Sequence, residues 1–398
     1  MVHFGTELAS LLLLAVTLIF VLLVLVFAIE ILVAWPQRPA PKHTEPQWQG
    51  RVAVLIPAHN EVAVVAPTIT SLMRQIRPGD RVVVVADNCT DSTATLCATL
   101  GAEVVERQDL TRRGKGFALA HGIEHLAADP PDVVVVLDAD CVIEADGLYR
   151  LAAASRASHC PVQSNYELIL PESARIELRI GAFAWRVKNY LRPLALHRSN
   201  LPCQLMGSGM AFPWQIVREA DLATDHLVED MMLGLDLAHR GYPAQFMPSV
   251  KTTSPFPESR EGQVVQRTRW ETGHLQVIAR CLPRRLVAAI AGADPRLLAL
   301  VIDAAVPPIA FLVLSGGIVA SAGLAASMVG LGSGYFLLAL AGLFGLTLAV
   351  LLAWLRIGRD IVSPQELLCL PLYALSKVSV YARALTGSRL GWVRSRRS

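Results

Sequence analysis

Charge is scarce in this chain. Asp, Glu, Lys and Arg make up 17% of its 398 residues against 53% hydrophobic, a balance skewed toward a membrane protein. The formal net charge of +3 is too small to imply a nucleic-acid partner. The seven cysteines (Cys89, Cys97, Cys141, Cys160, Cys203, Cys281, Cys369) include no C-x-x-C pair and are odd in number. That pattern fits reduced thiols better than a disulfide framework. No Walker A spacing, internal repeat or low-complexity tract occurs.

Long stretches lack charge altogether. None falls between Leu8 and Ile29, and none between Ala304 and Leu355. A helix needs about 20 apolar residues to cross the hydrocarbon of a bilayer, so the first stretch holds one span and the second holds two. Gly330, Gly332, Ser333 and Gly334 offer the turn between that pair. The first stretch exceeds the roughly 7–15 apolar residues of a signal peptide and has no Lys or Arg before it, which favours an uncleaved span. Residues 361–385 carry Pro364, Glu366, Pro371, Lys377 and Arg383; they span, re-enter or lie along the interface.

The basic residues are placed unevenly. The N-terminus and the 326–334 turn have none, whereas Arg38, Lys42 and Arg51 follow the first span. Arg280, Arg284, Arg285 and Arg296 precede the second, Arg356 and Arg359 follow the third, and Arg394, Arg396 and Arg397 end the chain. The positive-inside rule then puts 37–295 and the C-terminus in the cytosol, making a multi-pass protein of the inner (plasma) membrane. There the sequon Asn88-Cys89-Thr90 has no meaning. The expected domains are an N-terminal transmembrane helix (1–36), a cytosolic domain with interfacial helices (37–280) and a C-terminal membrane region (281–398). Pro36, Pro39, Pro41 and Pro46 mark a linker.

Between the spans, strand and helix signals alternate. Val52–Ile56, Arg81–Ala86, Glu103–Glu106 and Asp132–Leu137 read as strands; Val62–Arg74, Thr90–Leu100 and Gly116–Ala127 read as helices. This predicts an α/β fold with a mostly parallel sheet covered on both faces. Ligands bind beyond the carboxyl ends of such strands, where Pro57–Glu61, Asp87–Asp91 and Asp138–Asp140 fall. Residues 175–200 mix bases, aromatics and aliphatics at helical spacing, suiting either a membrane face or a solvated helix.

Four motifs can carry chemistry. In Asp138-Ala139-Asp140 the carboxylates sit at i and i+2 on one side of an extended chain. Such a pair suits a divalent ion and a nucleotide, or simply a turn. Glu229-Asp230 precedes an apolar helical run, as helix N-termini favour, and one carboxylate there suffices as a general base. Gln266, Arg269 and Trp270 share a helix face, suited to a sugar diphosphate or to anchoring at a membrane interface. Arg112-Arg113-Gly114-Lys115-Gly116 opens a helix, as an anion site or a surface turn. His121-Gly122-Ile123-Glu124-His125 matches a zinc-peptidase pattern but has no third ligand in view.

In this order the motifs resemble the membrane-bound family-2 glycosyltransferases of GT-A fold, the group of cellulose, poly-N-acetylglucosamine and hyaluronan synthases and ceramide glucosyltransferases. The resemblance covers about 52–275 and the flanking spans. Val54–Glu61 resembles the first nucleotide-binding loop, Val84–Asp91 the acidic loop, and Asp138-Ala139-Asp140 the D-x-D. Val228-Glu229-Asp230 resembles the T-E-D, Gln266–Trp270 the Q-x-x-R-W, and Gly207-Ser208-Gly209 the small-residue loop beside the sugar. Ala86 stands where many members carry a second Asp, and Val228 replaces the Thr of T-E-D.

The resemblance implies a GT-A (Rossmann-like) cytosolic domain flanked by transmembrane helices, and an inverting glycosyltransferase. Asp230, with Glu229 beside it, is implied as the catalytic base. Asp140 and Asp138 are implied to hold Mg2+ or Mn2+. Pro57, Glu61, Asp87, Lys115, Asp138, Gly207 and Ser208 are implied to bind the nucleotide sugar, a UDP-sugar first. Gln266, Arg269 and Trp270 are implied to serve the acceptor and the diphosphate. The acceptor would be lipid-linked or a glycan, at a surface of membrane lipids, in cell-surface or exopolysaccharide synthesis. A processive synthase secreting its polymer and a non-catalytic scaffold of the same fold are the alternatives.

Overall fold

Eight strands hydrogen-bond into one mixed sheet in the order β3-β2-β1-β4-β7-β6-β8-β5. They are β1 (Val52–Ala58), β2 (Arg81–Asp87), β3 (Glu103–Arg107), β4 (Val133–Val136), β5 (Val142–Ile143), β6 (Val162–Ile169), β7 (Met210–Pro213) and β8 (Gln245–Pro255). The computed structural model describes residues 2–36, 48–257 and 259–385. Arg38, Lys42, most of the 36–50 linker, Arg394, Arg396 and Arg397 lie outside the described residues.

The four strands read from sequence form the parallel half: β1 pairs with β2 and β4, and β2 with β3. All four residues of β4 are valine and all are buried, as a strand covered on both faces requires. β7 then enters antiparallel between β4 and β6, and β6 pairs parallel with β8 across a register shift at Ser164/Asn165. Helices Val65–Met73, Thr93–Thr99 and Lys115–Leu126 link the parallel strands, each within a few residues of its expected bounds. Gly101 ends the second at φ +95°, a conformation that spares glycine the Cβ clash. Because β2, β1 and β4 are parallel neighbours, their following loops emerge at one edge of the sheet. This brings together the clusters at 57–61, 87–91 and 138–140.

The chain divides into two compact units, and the sheet belongs to the one comprising 38–172, 199–301 and 389–398. The other comprises 1–37, 173–198 and 302–388. Among its described residues are three helices long and apolar enough to cross a membrane: Glu7–Ala34, Ile309–Met328 and Gly334–Ile357. Small residues let them pack closely. A Cβ at Gly316 or Gly342 would meet the Phe20 ring at under 3 Å.

Residues 175–200 form Ile176–Arg186, a π-helical turn (Val187–Leu191) and Arg192–Arg198, and several of their cations have partners within this unit. Arg192 is buried between Glu30 (2.5 Å) and Asp303 (2.7 Å), and Arg186 pairs with Asp360 (2.7 Å). Residues 361–385 form three short helices, Pro364–Leu367, Leu370–Ser376 and Val378–Leu385, none of spanning length.

Candidate active site

Lys115 opens its helix beside three acids. Its Nζ donates to Asp138 Oδ1 at 2.5 Å and to the Gly207 carbonyl at 2.7 Å, and lies 3.9 Å from Glu229 Oε1. Burial opposes the ammonium charge, but the carboxylates of Asp138, Glu229 and Asp230 outweigh it and raise the Lys115 pKa. Glu229 shows the converse. Burial first, then Asp230, push its carboxyl up to about 7, with Lys115 pulling the other way.

Two devices bring these groups together. The first is the loop Gly207-Ser208-Gly209, strung between β4 and β6. Ser208 Oγ accepts from the Asp138 backbone N–H at 3.0 Å, Gly209 N donates to Val136 O, and Gln163 bonds both Met206 N and Ser208 O. Gly207 and Gly209 hold φ of +89° and +67°. A Cβ at Gly207 would lie 3.1 Å from Asp230 Oδ2 and 3.4 Å from Lys115 Nζ, which puts that backbone against both the base candidate and the lysine. The second is helix Glu229–His239, whose first turn carries both acids at its positive end.

Asp140 is buried and fixed, with Oδ2 accepting from Ser254 Oγ at 2.6 Å. One ligand atom from each of Asp138, Asp140 and Cys141 lies within 4.8 Å of the others. Burial and then Asp140 push the Cys141 thiol well above its ordinary pKa, so it stays protonated and is a poor ligand. The usable donors are two hard carboxylates. This set fits Mg2+ or Mn2+ completed by phosphate oxygens, and not a soft metal.

Gln266, Arg269 and Trp270 lie on helix Arg260–Arg280, capped by Ser259, whose Oγ accepts from Gly262 N. Gly273, on the same face, packs so closely on Leu227 and Val228 that a Cβ would meet Val228 at 2.8 Å. The face therefore abuts the segment leading into Glu229, and the Arg269 charge bears on the Glu229 carboxyl. Gln266 Oε1 and Arg269 Nε are buried with no hydrogen-bond partner among the described residues.

The remaining sequence-chosen residues flank this cluster. Pro57 lies in β1 opposite Val85. Glu61 is held by its backbone, donating to Thr93 Oγ1 at 2.8 Å. Asp87 ends β2 and pairs with Arg107 at 2.6 Å. Sequence reading missed Arg107 and the polar run Gln163-Ser164-Asn165 on β6. Three consecutive polar residues within a buried strand were the available signal for the latter. His125 Nε2 of the zinc-like motif lies 2.5 Å from Glu103 Oε1 and 3.2 Å from Arg81 Nη2, beside the Arg81–Glu103 ion pair.

Comparisons with known proteins agree with this fold. The model of the family described as Glycosyltransferase like family 2 matches residues 49–273, more than half of the chain. The probable glycosyltransferase YdaM of Bacillus subtilis is 27% identical over 270 residues, 60% of this chain and 60% of that protein. The probable glucomannan 4-beta-mannosyltransferase 11 of Arabidopsis thaliana is 28% identical over 251 residues, 56% of this chain and 53% of that one. The chain thus spans about three fifths or less of these curated relatives' length. Among solved structures, the mannosyltransferase PcManGT from Pyrobaculum calidifontis, in complex with GDP-Man and Mn2+, shares the fold. Its TM-score is 0.60 at 17% identity, covering 96% of this chain and 100% of that one. The chain belongs to the glycosyltransferase family 2, and its strands and helices have the GT-A fold.

Proposed function

We propose that this protein is an inverting glycosyltransferase, moving a sugar from a nucleotide-sugar donor to a lipid-linked or polysaccharide acceptor at the cytosolic face of a membrane, in cell-surface polysaccharide synthesis. One observation carries the reading: Asp138, Lys115, Gly207, Glu229 and Asp230 converge from four separate elements at the edge of the sheet where α/β folds bind ligands.

In this mechanism Asp230 takes the proton of the acceptor hydroxyl as that oxygen attacks the anomeric carbon. The bond to the donor diphosphate breaks on the opposite face, which inverts the configuration. Asp138 and Asp140 would hold Mg2+ or Mn2+, which when bound neutralises diphosphate charge. Lys115 and Arg269 stabilise the departing nucleoside diphosphate as fixed charges. Trp270 offers a face to the acceptor sugar, and Gln266 its buried amide. Glu229 tunes the field around Asp230 and Lys115. Membrane-spanning helices and flanking arginines in one chain support an acceptor presented at a lipid surface.

The test is transfer from labelled UDP- and GDP-sugars by membranes containing the full chain, with products sized after lipid extraction. An organic-soluble labelled product supports single transfer to a lipid-linked acceptor, and a high-mass product supports the processive reading. Folded protein that transfers from no donor, with native lipids supplied, overturns the proposal.

A further inference from the structure

Three hydroxyls hold the Asp138-Ala139-Asp140 turn. Ser208 Oγ accepts from the Asp138 backbone N–H at 3.0 Å, Thr68 Oγ1 donates to the Ala139 carbonyl at 2.9 Å, and Ser254 Oγ donates to Asp140 Oδ2 at 2.6 Å. The last is a charge-assisted contact between buried groups, with Ser254 2% exposed and Asp140 7%. Ser254 Oγ also lies 3.3 Å from the Pro255 carbonyl, the longer and weaker of its two contacts. Strand pairing fixes the position of Ser254. Just after Asp140, β5 pairs with β8 through Val142–Thr253 and Ile143–Thr252, and Thr252 Oγ1 lies 2.8 Å from Ser164 Oγ on β6. The Cys141 sulfur lies 3.8 Å from Asp140 Oδ1 and 3.6 Å from the Tyr166 hydroxyl of β6.

The two carboxylates are held by unlike groups. Asp138 meets the Lys115 ammonium at 2.5 Å, which offsets its charge. Asp140 meets the neutral hydroxyl of Ser254, which fixes the direction of the carboxylate and leaves its charge in place. Two carboxylates with ligand atoms within 4.8 Å of each other repel, so an unanchored one turns away from its neighbour. We infer that Ser254 is a positioning residue for the divalent ion, holding Asp140 against repulsion from Asp138 without cancelling the charge that the ion needs. The inference rests on the proposed metal-binding role of Asp138 and Asp140. Outer partners that orient a ligating carboxylate are worth about 10–100-fold in metal affinity. Ser254 acts through Asp140 and does not touch the reacting atoms.

Mn2+ titration of the purified full chain in phosphatidylcholine nanodiscs, followed by the paramagnetic resonance of unbound Mn2+, tests this. Asp140→Asn and empty nanodiscs are the references. Ser254→Ala is expected to weaken Mn2+ binding by about 10–100-fold, and Ser254→Thr, which keeps the hydroxyl, to stay within about threefold of wild type. In the Asp140→Asn background Ser254→Ala should add less than about twofold, because its partner is already changed. In turnover, Ser254→Ala should raise the Mn2+ concentration for half-maximal transfer by the same factor, with kcat at saturating Mn2+ near wild type. If Ser254→Ala does not fold, Ser254→Cys, a weaker donor of similar size, is read by the same criteria. Mn2+ affinity within about twofold of wild type in Ser254→Ala overturns the inference, and a lowered unfolding temperature beside it reduces Ser254 to a structural role. A folded Ser254→Thr that binds as poorly as Ser254→Ala also overturns it, since the hydroxyl then plays no part. A wild type that binds Mn2+ no better than Asp140→Asn removes the metal reading itself and the inference with it.

Discussion

Lys115 and Asp138 are 23 residues apart in sequence and 2.5 Å apart in the fold, where the ammonium also bonds the Gly207 carbonyl. One cation thereby ties the start of a helix, the end of β4 and the glycine loop into a single site. Its charge is shared among Asp138, Glu229 and Asp230.

Removing that cation should hurt both binding and chemistry. Lys115→Met is expected to raise the donor KM and lower kcat, together reducing kcat/KM by about 10²–10³-fold, the range seen for one preorganised transition-state donor. Steady-state transfer kinetics measure it. Unchanged kcat/KM would remove Lys115 from the site.

The glycine loop separates a folding requirement from a catalytic one. A Cβ at Gly209 would lie 2.0 Å from Ser164 Oγ and 2.4 Å from Thr252 Oγ1, in a buried strand pair. Gly209→Ala should therefore destabilise the sheet unit by about 2 kcal/mol or more, through overpacking and a strained φ. The nearest atoms to a Cβ at Gly207 are the tips of Asp230 and Lys115, so Gly207→Ala should lose about 1–3 kcal/mol from its strained φ of +89° without the overpacking at Gly209, and transfer poorly. Thermal unfolding and transfer assays on both variants should show this split.

Glu229 gives a pH signature. Its carboxyl is raised from 4.5 to about 7, chiefly by burial and then by Asp230. A raised acid binds its proton more tightly in the fold, so its stabilising contribution is full below about pH 4.5 and is lost as pH rises through 7. Above 7 the ionised group is a burden that glutamine lacks. Glu229→Gln should raise the unfolding temperature relative to wild type more at pH 8 than at pH 5. An equal or reversed difference would contradict the burial of that charge.

Chelation should act through Asp140 and Asp138. EDTA is expected to weaken nucleoside diphosphate binding by the wild type, with Mn2+ or Mg2+ restoring it. Asp140→Asn should require a higher Mn2+ concentration for the same effect, read by Mn2+ paramagnetic resonance as well as by calorimetry.

The parallel half of the sheet was legible because period and composition encode it. The Val133–Val136 run and the β-branched Arg81–Asp87 are buried strands bounded by turn residues. The D-x-D, the Glu229-Asp230 pair and the 266–270 face were legible as motifs because each is local. Contacts between distant segments were not. Nothing near Asp87 announces Arg107, and nothing near Asp140 announces Ser254, because the β2–β3 register sets the first pair and the β5–β8 pairing just after Asp140 brings in the second. The antiparallel insertion of β7 between β4 and β6 leaves no periodic signal in a strand of four residues. The bases of 175–200 read ambiguously because their partners, Glu30, Asp303 and Asp360, are far away in sequence.

The most direct test of the account is single-turnover sugar transfer by Asp230→Asn, measured alongside donor binding on the same preparation. Loss of a general base lowers the chemical step by about 10²–10⁴-fold without removing contacts to the donor. The expected result is transfer reduced by that range with nucleotide-sugar affinity within about threefold of wild type. Near-normal transfer by Asp230→Asn would contradict the assignment of the base, and with it the mechanism built on this site.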